Sequence, residues 1–332
     1  MNIGARRTQR GVALLIVLWA CALLAILIGG YALLARSEGM QSRYQFAHTQ
    51  ARYDAESGIA RAVYGLSLHD VARRWVPDGR AYDFRFNGAR VSVTVTDEAG
   101  KVDLNSAAPP VLAGLFRSVG ASRDKAKALA DAIADWRDRD ANTRVHGAEA
   151  PQYRAAGRDY GPRNGRFESI EELQQVLGMT PALYQAVAPC VTLWSGRNEP
   201  DPRFASAQVL AALPNMSTQQ ANDFVRQRQA LNEATGGARL TVPGEASPLL
   251  MGGGHGIVQS IRSEAVLPDG TSAVVRAVVR LGLSRVDKPY TVLRWLDGDD
   301  ASLSATGGGA GKDGKGTSGR GGPSVGHHAV LR

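Results

Sequence analysis

The sequence predicts an α+β fold with a long N-terminal helix, an antiparallel β-sheet and a large all-helical insert. Three observations support this prediction. Residues 12–35 are apolar, and helical spacing continues from there to about residue 68. Alternation with period two occurs at 81–97 and returns in the strands that follow residue 256. The segment 105–240 lies between these strands and has helical periodicity.

The N-terminal segment predicts a retained membrane helix. Arg6, Arg7 and Arg10 precede the apolar run, and no acidic residue does. The run is longer than the roughly 7–15 apolar residues of a secretory signal and matches the ~20 residues of a membrane span. The positive-inside rule places the leader in the cytoplasm and the bulk of the chain on the other side.

The same helix is predicted to continue beyond the membrane. No proline occurs from Met40 to Leu68, and small and apolar residues recur there at helical spacing. A helix from residue 12 to residue 68 would be roughly 80 Å long at about 1.5 Å per residue. A simple anchor does not need this length, so the exposed part of the helix is expected to have its own role.

The stretch "YDFRFNGARVSVTVTD" predicts a β-hairpin that turns at Asn87 and Gly88. Three closing strands are predicted in "GIVQSIRSEAVL", "SAVVRAVVRLG" and "YTVLRWL". The glycine-rich stretch after residue 301 has too few apolar residues to pack, so a disordered tail is expected at 301–332.

Within the insert, helix starts are predicted from capping residues. Asn105 or Ser106 is expected to cap a first helix, and Ser122 a second. "SIEELQQVL" is expected to form a third helix, and "PALYQAVAPCV" a fourth with Pro181 in its first turn. A weaker second copy of this pattern follows in "DPRFASAQVLAALPNMSTQQANDFVRQRQ".

Composition argues against several classes of function. The net charge of +8 includes three leader arginines, and no block of consecutive basic residues follows, so a surface of mixed charge is preferred to a nucleic-acid surface. Cys21 lies within the apolar run and Cys190 far from it, so no internal disulfide is expected. The six histidines form no metal-ligand motif, and no nucleophile elbow occurs. We therefore expect no enzymatic activity.

Specific stretches carry a resemblance to a known family. "QRGVALLIVLWACALLAIL" resembles a prepilin-type leader, and "ARYDAESGIARAVYGL", "VDLNSA", "ADWRDRD" and "GRFESIEELQQVLGM" resemble the K subunits (GspK) of the type II secretion pseudopilus. The resemblance extends from about Arg6 to about Leu296. It implies cleavage after Gly11 and an N-methylated Val12 as the first mature residue. Ile16 then stands at the fifth mature position, where major pseudopilins carry glutamate and K subunits do not.

The resemblance also implies a division of the chain and a cellular role. The implied segments are a leader (1–11), a transmembrane helix (12–35), the remaining pseudopilin helix and first strands (36–104), a helix-hairpin-helix or SAM-like insert (105–240), closing strands (241–300) and the tail (301–332). The expected role is that of a minor pseudopilin at the pseudopilus tip. It would start assembly and support export of folded proteins across the outer membrane. Expected partners are the minor pseudopilins I, J and H, the major pseudopilin G, the prepilin peptidase and the bacterial inner membrane, with most of the chain in the periplasm.

The insert also resembles the tandem helix-hairpin-helix of membrane-anchored DNA-uptake receptors. Those hairpins bind phosphate through the backbone amides of a Gly-x-Gly turn. Here Gly120 precedes Ala121 and Ser122, Gly178 precedes Met179 and Thr180, and the third turn is Pro214-Asn215-Met216. Because the second glycine is missing in each turn, a packing and docking insert is preferred and no nucleic-acid partner is expected. DNA binding stays the alternative.

An acidic stretch in the insert is a candidate metal site. Asp135, Asp138, Asp140 and Glu149 would supply several oxygen ligands from a helix end and a loop, which suits calcium better than zinc. From the residues alone, a solvated helix end balanced by neighbouring arginines is the preferred interpretation. The resemblance favours calcium instead, because K subunits carry it in their helical domain. Ala150 replaces an acid of the family's "GAED" motif, so weaker binding is expected.

Overall fold

The protein is described by a computed structural model that covers residues 10–70, 72–234, 239–243, 249–250, 256–282 and 288–298. The predicted tail at 301–332 and the leader residues before Arg10 lie outside the described residues.

The N-terminal helix α1 is continuous from Arg10–Leu66, which confirms the predicted long helix. Its 57 residues correspond to roughly 85 Å at 1.5 Å per residue. The segment Leu14–Tyr31 is long and apolar enough to cross a membrane, and none of it is buried within the protein. The C-terminal part of α1 instead packs against the sheet.

The strands of the described chain are β1 (Asp78–Phe86), β2 (Ala89–Asp97), β3 (Val102–Asp103), β4 (Val191–Thr192), β5 (Arg239–Leu240), β6 (Leu249–Leu250), β7 (Val258–Val266), β8 (Ser272–Leu281) and β9 (Tyr290–Asp297). Five of them form the main sheet in the order β1-β2-β7-β8-β9, and all neighbours are antiparallel. The predicted hairpin is confirmed. Its turn residues Asn87 and Gly88 have φ of 48° and 84°, as the tight turn between two strands requires.

One face of α1 made of small residues lies on the sheet. Ala51, Ala55 and Ala62 have no exposed surface, and they pack with valines and isoleucines of β2, β7 and β8. At Gly58 the approach is closer still, because an added Cβ would meet the Ser263 side chain and would lie 2.9 Å from a Val93 methyl group. Small side chains therefore let the helix axis come close to the strands.

The insert has its own hydrophobic core. Its helices are α2 (Pro109–Ser118), α3 (Arg123–Arg137), α4 (Ala150–Ala155), α5 (Pro181–Val187), α6 (Ala207–Leu210) and α7 (Thr218–Ala234). Leu112, Leu129, Ile133 and Leu210 are buried in a cluster separate from the one beneath α1. The α+β fold with a long helix, an antiparallel sheet and an all-helical insert is therefore confirmed.

Three turns of the insert share one conformation. The left-handed residues are Gly120, Gly178 and Asn215, with φ of 91°, 88° and 62°. Two residues after each, Ser122, Thr180 and Ser217 accept a backbone hydrogen bond that caps the next helix. The predicted cap at Ser122 is confirmed, and the repetition shows that the hairpin unit occurs three times in the described insert.

Two predictions about helices were wrong. Neither Asn105 nor Ser106 caps α2, whose N-cap is Ala108 followed by prolines that start the helix. The "SIEELQQVL" stretch forms a short 3₁₀ helix, Ile170–Gln175, because Val176 turns extended and ends it. The helix α4 was not predicted, although Pro151 in its first turn is a start signal.

The two ends of the insert meet at one buried carboxylate. β2 and β7 are neighbours in the sheet, yet the whole insert lies between them in the sequence. Asp97 has no exposed surface and accepts hydrogen bonds from the backbone N–H of Ala99 at 2.8 Å and Gly256 at 2.5 Å. It also accepts one from Gln259 Nε2 at 2.9 Å. The chain therefore leaves and re-enters the sheet at a single fixed point.

The close helix–sheet approach can be tested with two identical changes in α1. Gly58→Ala is expected to lower the free energy of unfolding by about 1–3 kcal/mol, because the new methyl group overpacks the interface. Gly39→Ala is the matched control, since nothing lies within 4 Å of its Cβ position, and it should leave stability unchanged or raise it by about 0.5–1 kcal/mol. Urea unfolding of the full chain in detergent measures both. Equal effects of the two variants would contradict the close approach.

Candidate functional site

The exposed surface of α1 beyond the apolar segment Leu14–Tyr31 is the first candidate site. Tyr44, Phe46 and Tyr53 are 65%, 75% and 63% exposed, although they lie outside the apolar span. Large aromatic side chains on an exposed helix are typical of a surface that packs against another protein. Phe46 and Tyr53 are seven residues apart and therefore lie on the same side of the helix, beyond the apolar segment Leu14–Tyr31.

The residues of the predicted leader junction lie at the start of this helix. Gly11 and Val12 belong to the first turn of α1, where the backbone is described but the surroundings of these side chains are not. Ile16 is 63% exposed. The position predicted to be fifth in the mature chain thus presents an exposed apolar side chain.

The "VDLNSA" stretch has a structural role. Asp103 is fully buried and accepts hydrogen bonds from the backbone N–H of Asn105 at 2.8 Å and Gly196 at 2.7 Å. The Asn105 side chain donates to the Phe167 carbonyl at 3.0 Å and accepts from the Phe167 N–H at 2.7 Å. The Asn105 side chain is thus engaged with a distant segment and not with α2, whose N-cap is Ala108.

Arg137, from the "ADWRDRD" stretch, binds to the same segment. Its guanidinium donates to the carbonyl oxygens of Leu104 and Ala107, both at 2.7 Å. Burial lowers the pKa of Arg137, and so does the nearby charge of Arg144. The stretches that carry the family resemblance therefore fix three distant parts of the insert to one another.

Each hairpin turn carries a side chain at the position where a DNA-binding turn has glycine and leaves its backbone amides accessible to a phosphate. Ala121 and Met179 pack against the insert core, and Met216 is buried in it. These side chains follow the left-handed residue of each turn directly. The three turns thus have the arrangement expected of a packing domain.

The four predicted metal ligands lie in one neighbourhood. Asp135 is in the last turn of α3 and has no exposed surface, and Asp138 is the C-cap of the same helix. Glu149 is the N-cap of α4 and is 2% exposed. Burial raises the pKa of Glu149, and the negative charges of Asp135, Asp138 and Asp140 raise it further. The structure therefore brings the acidic residues of α3 close to the start of α4.

An arginine occupies the space between two of these acids. Arg144 Nη1 lies 2.5 Å from Asp135 Oδ1 and also contacts an oxygen of Asp138. These hydrogen bonds to Asp138 and Asp135 raise the pKa of Arg144. The Arg144 backbone N–H donates to Asp135 Oδ2 at 3.3 Å. In the sequence, Arg144 is one of several arginines that balance the acidic stretch, and its position between the two acids was not predicted.

The carboxylate oxygens are of the type that binds a hard cation, but they do not converge on a single point. Within the described chain, Glu149 Oε1 and Asp138 Oδ1 are buried and accept no hydrogen bond. An added Cβ at Gly147 would lie 2.8 Å from Asp135 Cγ, so only glycine lets the loop approach so closely. No three acidic, histidine or cysteine side chains of the described residues converge closely enough to form a metal site. Carboxylate oxygens suit calcium, whose flexible coordination accepts ligands from a helix end and a loop.

Comparison with known proteins identifies relatives for most of the chain. Residues 85–196 match the family model described as "Type II secretion system (T2SS), protein K". The type II secretion system protein K of Klebsiella pneumoniae is 31% identical over 206 residues, which cover 55% of this chain and 62% of that protein. The corresponding protein of Pseudomonas aeruginosa is 27% identical over 246 residues, which cover 67% and 73%. The match thus spans about three fifths of the Klebsiella protein.

A solved structure shares the fold. It is the crystal structure of the GspK-GspI-GspJ complex from the type 2 secretion system of enterotoxigenic Escherichia coli. One chain of it superposes with a TM-score of 0.54, and the match covers 78% of this chain and 99% of that chain. At 18% sequence identity, this match establishes a common architecture.

Proposed function

We propose that the chain is a member of the type II secretion system protein K family, whose model matches residues 85–196, and that it is a minor pseudopilin at the tip of the secretion pseudopilus. Its role is structural and not catalytic. The observation that carries the proposal is α1, a single helix that joins an exposed apolar segment to a folded body. Such a helix packs beside equivalent helices of other subunits, and the exposed aromatic residues beyond the membrane segment extend that contact.

The residue at the fifth mature position supports a place at the tip. In a fibre of aligned apolar helices, a glutamate there neutralises the positive N-terminus of a neighbour, and an unpaired charge in that environment is costly. Ile16 is exposed and uncharged, so it offers no such partner. A subunit at the end of the fibre has no neighbour above it that needs one.

The insert supports the same position. It forms a second folded unit with its own core and is fixed to the sheet at Asp97. A unit of this size on the body hinders stacking of another subunit above it. We propose that the protein starts fibre assembly and supports export of folded proteins across the outer membrane.

The proposed partners are other pseudopilins. The crystallised relative is a complex with GspI and GspJ, and we propose the minor pseudopilins I and J as direct partners here. The minor pseudopilin H and the major pseudopilin G would follow in the fibre. The proposed location is the bacterial inner membrane, with one span, a cytoplasmic N-terminus and a periplasmic body. Prepilin peptidase would remove the leader after Gly11.

We also propose that the insert binds calcium. Asp135, Asp138, Asp140 and Glu149 would hold the ion, which would satisfy the buried oxygens that now accept no hydrogen bond. A bound ion would fasten the loop between α3 and α4, so that the insert presents a fixed surface. Ala150 contributes no ligand side chain, which favours weaker binding than a site with another acid at that position.

Leader removal is tested by changing the residue before the cleaved bond. Gly11→Leu places a bulky side chain there, so the full precursor is expected to accumulate in cells that contain the peptidase. Gly4→Leu, a matched change within the leader, should leave processing normal. Intact-mass measurement of the membrane-extracted protein distinguishes the two products. A wild-type chain that still begins before Val12 would contradict the proposal.

The contact with the minor pseudopilins I and J is tested on the exposed face of α1. Phe46→Asp replaces an exposed aromatic ring by a charge and is expected to weaken co-assembly by about 2 kcal/mol, roughly thirtyfold in affinity. Val292→Asp is the control, because Val292 is 43% exposed on the edge strand β9. Co-purification of I and J with the full chain in detergent measures the effect. Normal binding by Phe46→Asp would count against α1 as the interface.

A further inference from the structure

We infer that Arg144 is a built-in counter-ion that holds the acidic loop in the metal-free protein and competes with calcium for Asp135 and Asp138. This inference rests on the calcium site proposed above and concerns how that site is regulated. In this role Arg144 does not bind the metal ion. Its positively charged guanidinium takes the ion's place beside the carboxylates.

The first support is the shared contact. A single atom, Arg144 Nη1, contacts a carboxylate oxygen of Asp135 and one of Asp138, as a bridging cation would. Asp135 is completely buried, and a buried carboxylate without a counter-charge would strongly destabilise the fold. The metal-free loop therefore depends on this arginine.

The second support is that Arg144 does not pair all of the carboxylate oxygens around it. Four carboxylates, those of Asp135, Asp138, Asp140 and Glu149, influence this neighbourhood, and Arg144 supplies one opposing charge to Glu149. Glu149 Oε1 is buried, accepts no hydrogen bond from the described residues, and belongs to a side chain with 2% exposure. Arg137 also interacts with Asp138, but Glu149 Oε1 and Asp138 Oδ1 still accept no hydrogen bond within the described chain. A divalent cation would satisfy acceptor oxygens that the arginines leave unpaired.

The third support is that the Arg144 side chain can reach solvent. The Arg144 side chain is 39% exposed, so water can solvate its guanidinium when it moves away from the acids. The loop backbone has its own contacts: Gly147 N–H donates to the Arg144 carbonyl at 3.0 Å, and His146 N–H donates to Asp131 at 3.2 Å. Calcium entry would therefore exchange one cation for another at Asp135 and Asp138.

The test measures calcium affinity in the full chain, purified in detergent and freed of metal with chelator. Calorimetric titration with calcium chloride is done on the wild type, on Arg144→Gln and on Arg139→Gln. Arg144→Gln is expected to bind calcium about tenfold more tightly, a coupling typical of two ligands that exclude each other. Its melting temperature in chelator should fall below that of the wild type and recover in millimolar calcium. Arg139→Gln removes the same charge from an exposed residue between Asp138 and Asp140 and should stay within about twofold of the wild type.

Two further variants keep the result interpretable. Arg144→Lys retains the charge but not the planar guanidinium, so it should fold in chelator and bind calcium with intermediate affinity. Glu149→Gln in the Arg144→Gln background should abolish the tight binding, which locates the ion in this cluster. Tight binding that survives Glu149→Gln would overturn the inference.

The remaining outcomes separate the two proposals. Equal calcium affinity of the wild type and Arg144→Gln overturns the competition but still supports the calcium site. Binding by Arg144→Gln alone supports the competition in its strongest form. If no variant binds calcium, both the competition and the calcium site are overturned. The proposed assembly with I and J is tested by a separate experiment and does not depend on this result.

Discussion

The C-terminal half of α1 lies so close to the sheet that one methyl group at Gly58 would collide with Ser263. This contact depends on a face of alanine and glycine, with Ala51, Ala55 and Ala62 fully buried against the strands. The sheet beneath it is assembled from β2 and β7, which are distant in sequence and adjacent in space. The helix therefore connects the apolar N-terminal segment to strands from both ends of the insert.

The insert is attached to this sheet where its two ends meet. Asp97 ties its two ends together, and beside it the buried Glu98 pairs with Lys101 at 2.6 Å and contacts Ser260 on β7. Paired buried groups of this kind hold one another in a fixed geometry at the junction, although Glu98 Oε2 and Gln259 Oε1 accept no hydrogen bond within the described chain.

Much of the fold was predictable because its signals are local. The length of α1, the hairpin at Asn87 and the cap at Ser122 follow from periodicity, turn chemistry and capping, which neighbouring residues specify. Asn105 was misassigned because its partner, Phe167, is distant in sequence. The Asp135–Arg144 pair was missed for a similar reason: the sequence shows alternating charges, but only the folded loop selects which arginine lies between the acids.

The central claim, a single copy at the fibre tip, is tested most directly by locating the protein on assembled pseudopili. A tag at the C-terminus, labelled with gold and counted by electron microscopy, reports position and copy number together. The proposal predicts one label per fibre, at one end. Labels distributed along the fibres would contradict it, because subunits that carry the insert would then stack on one another.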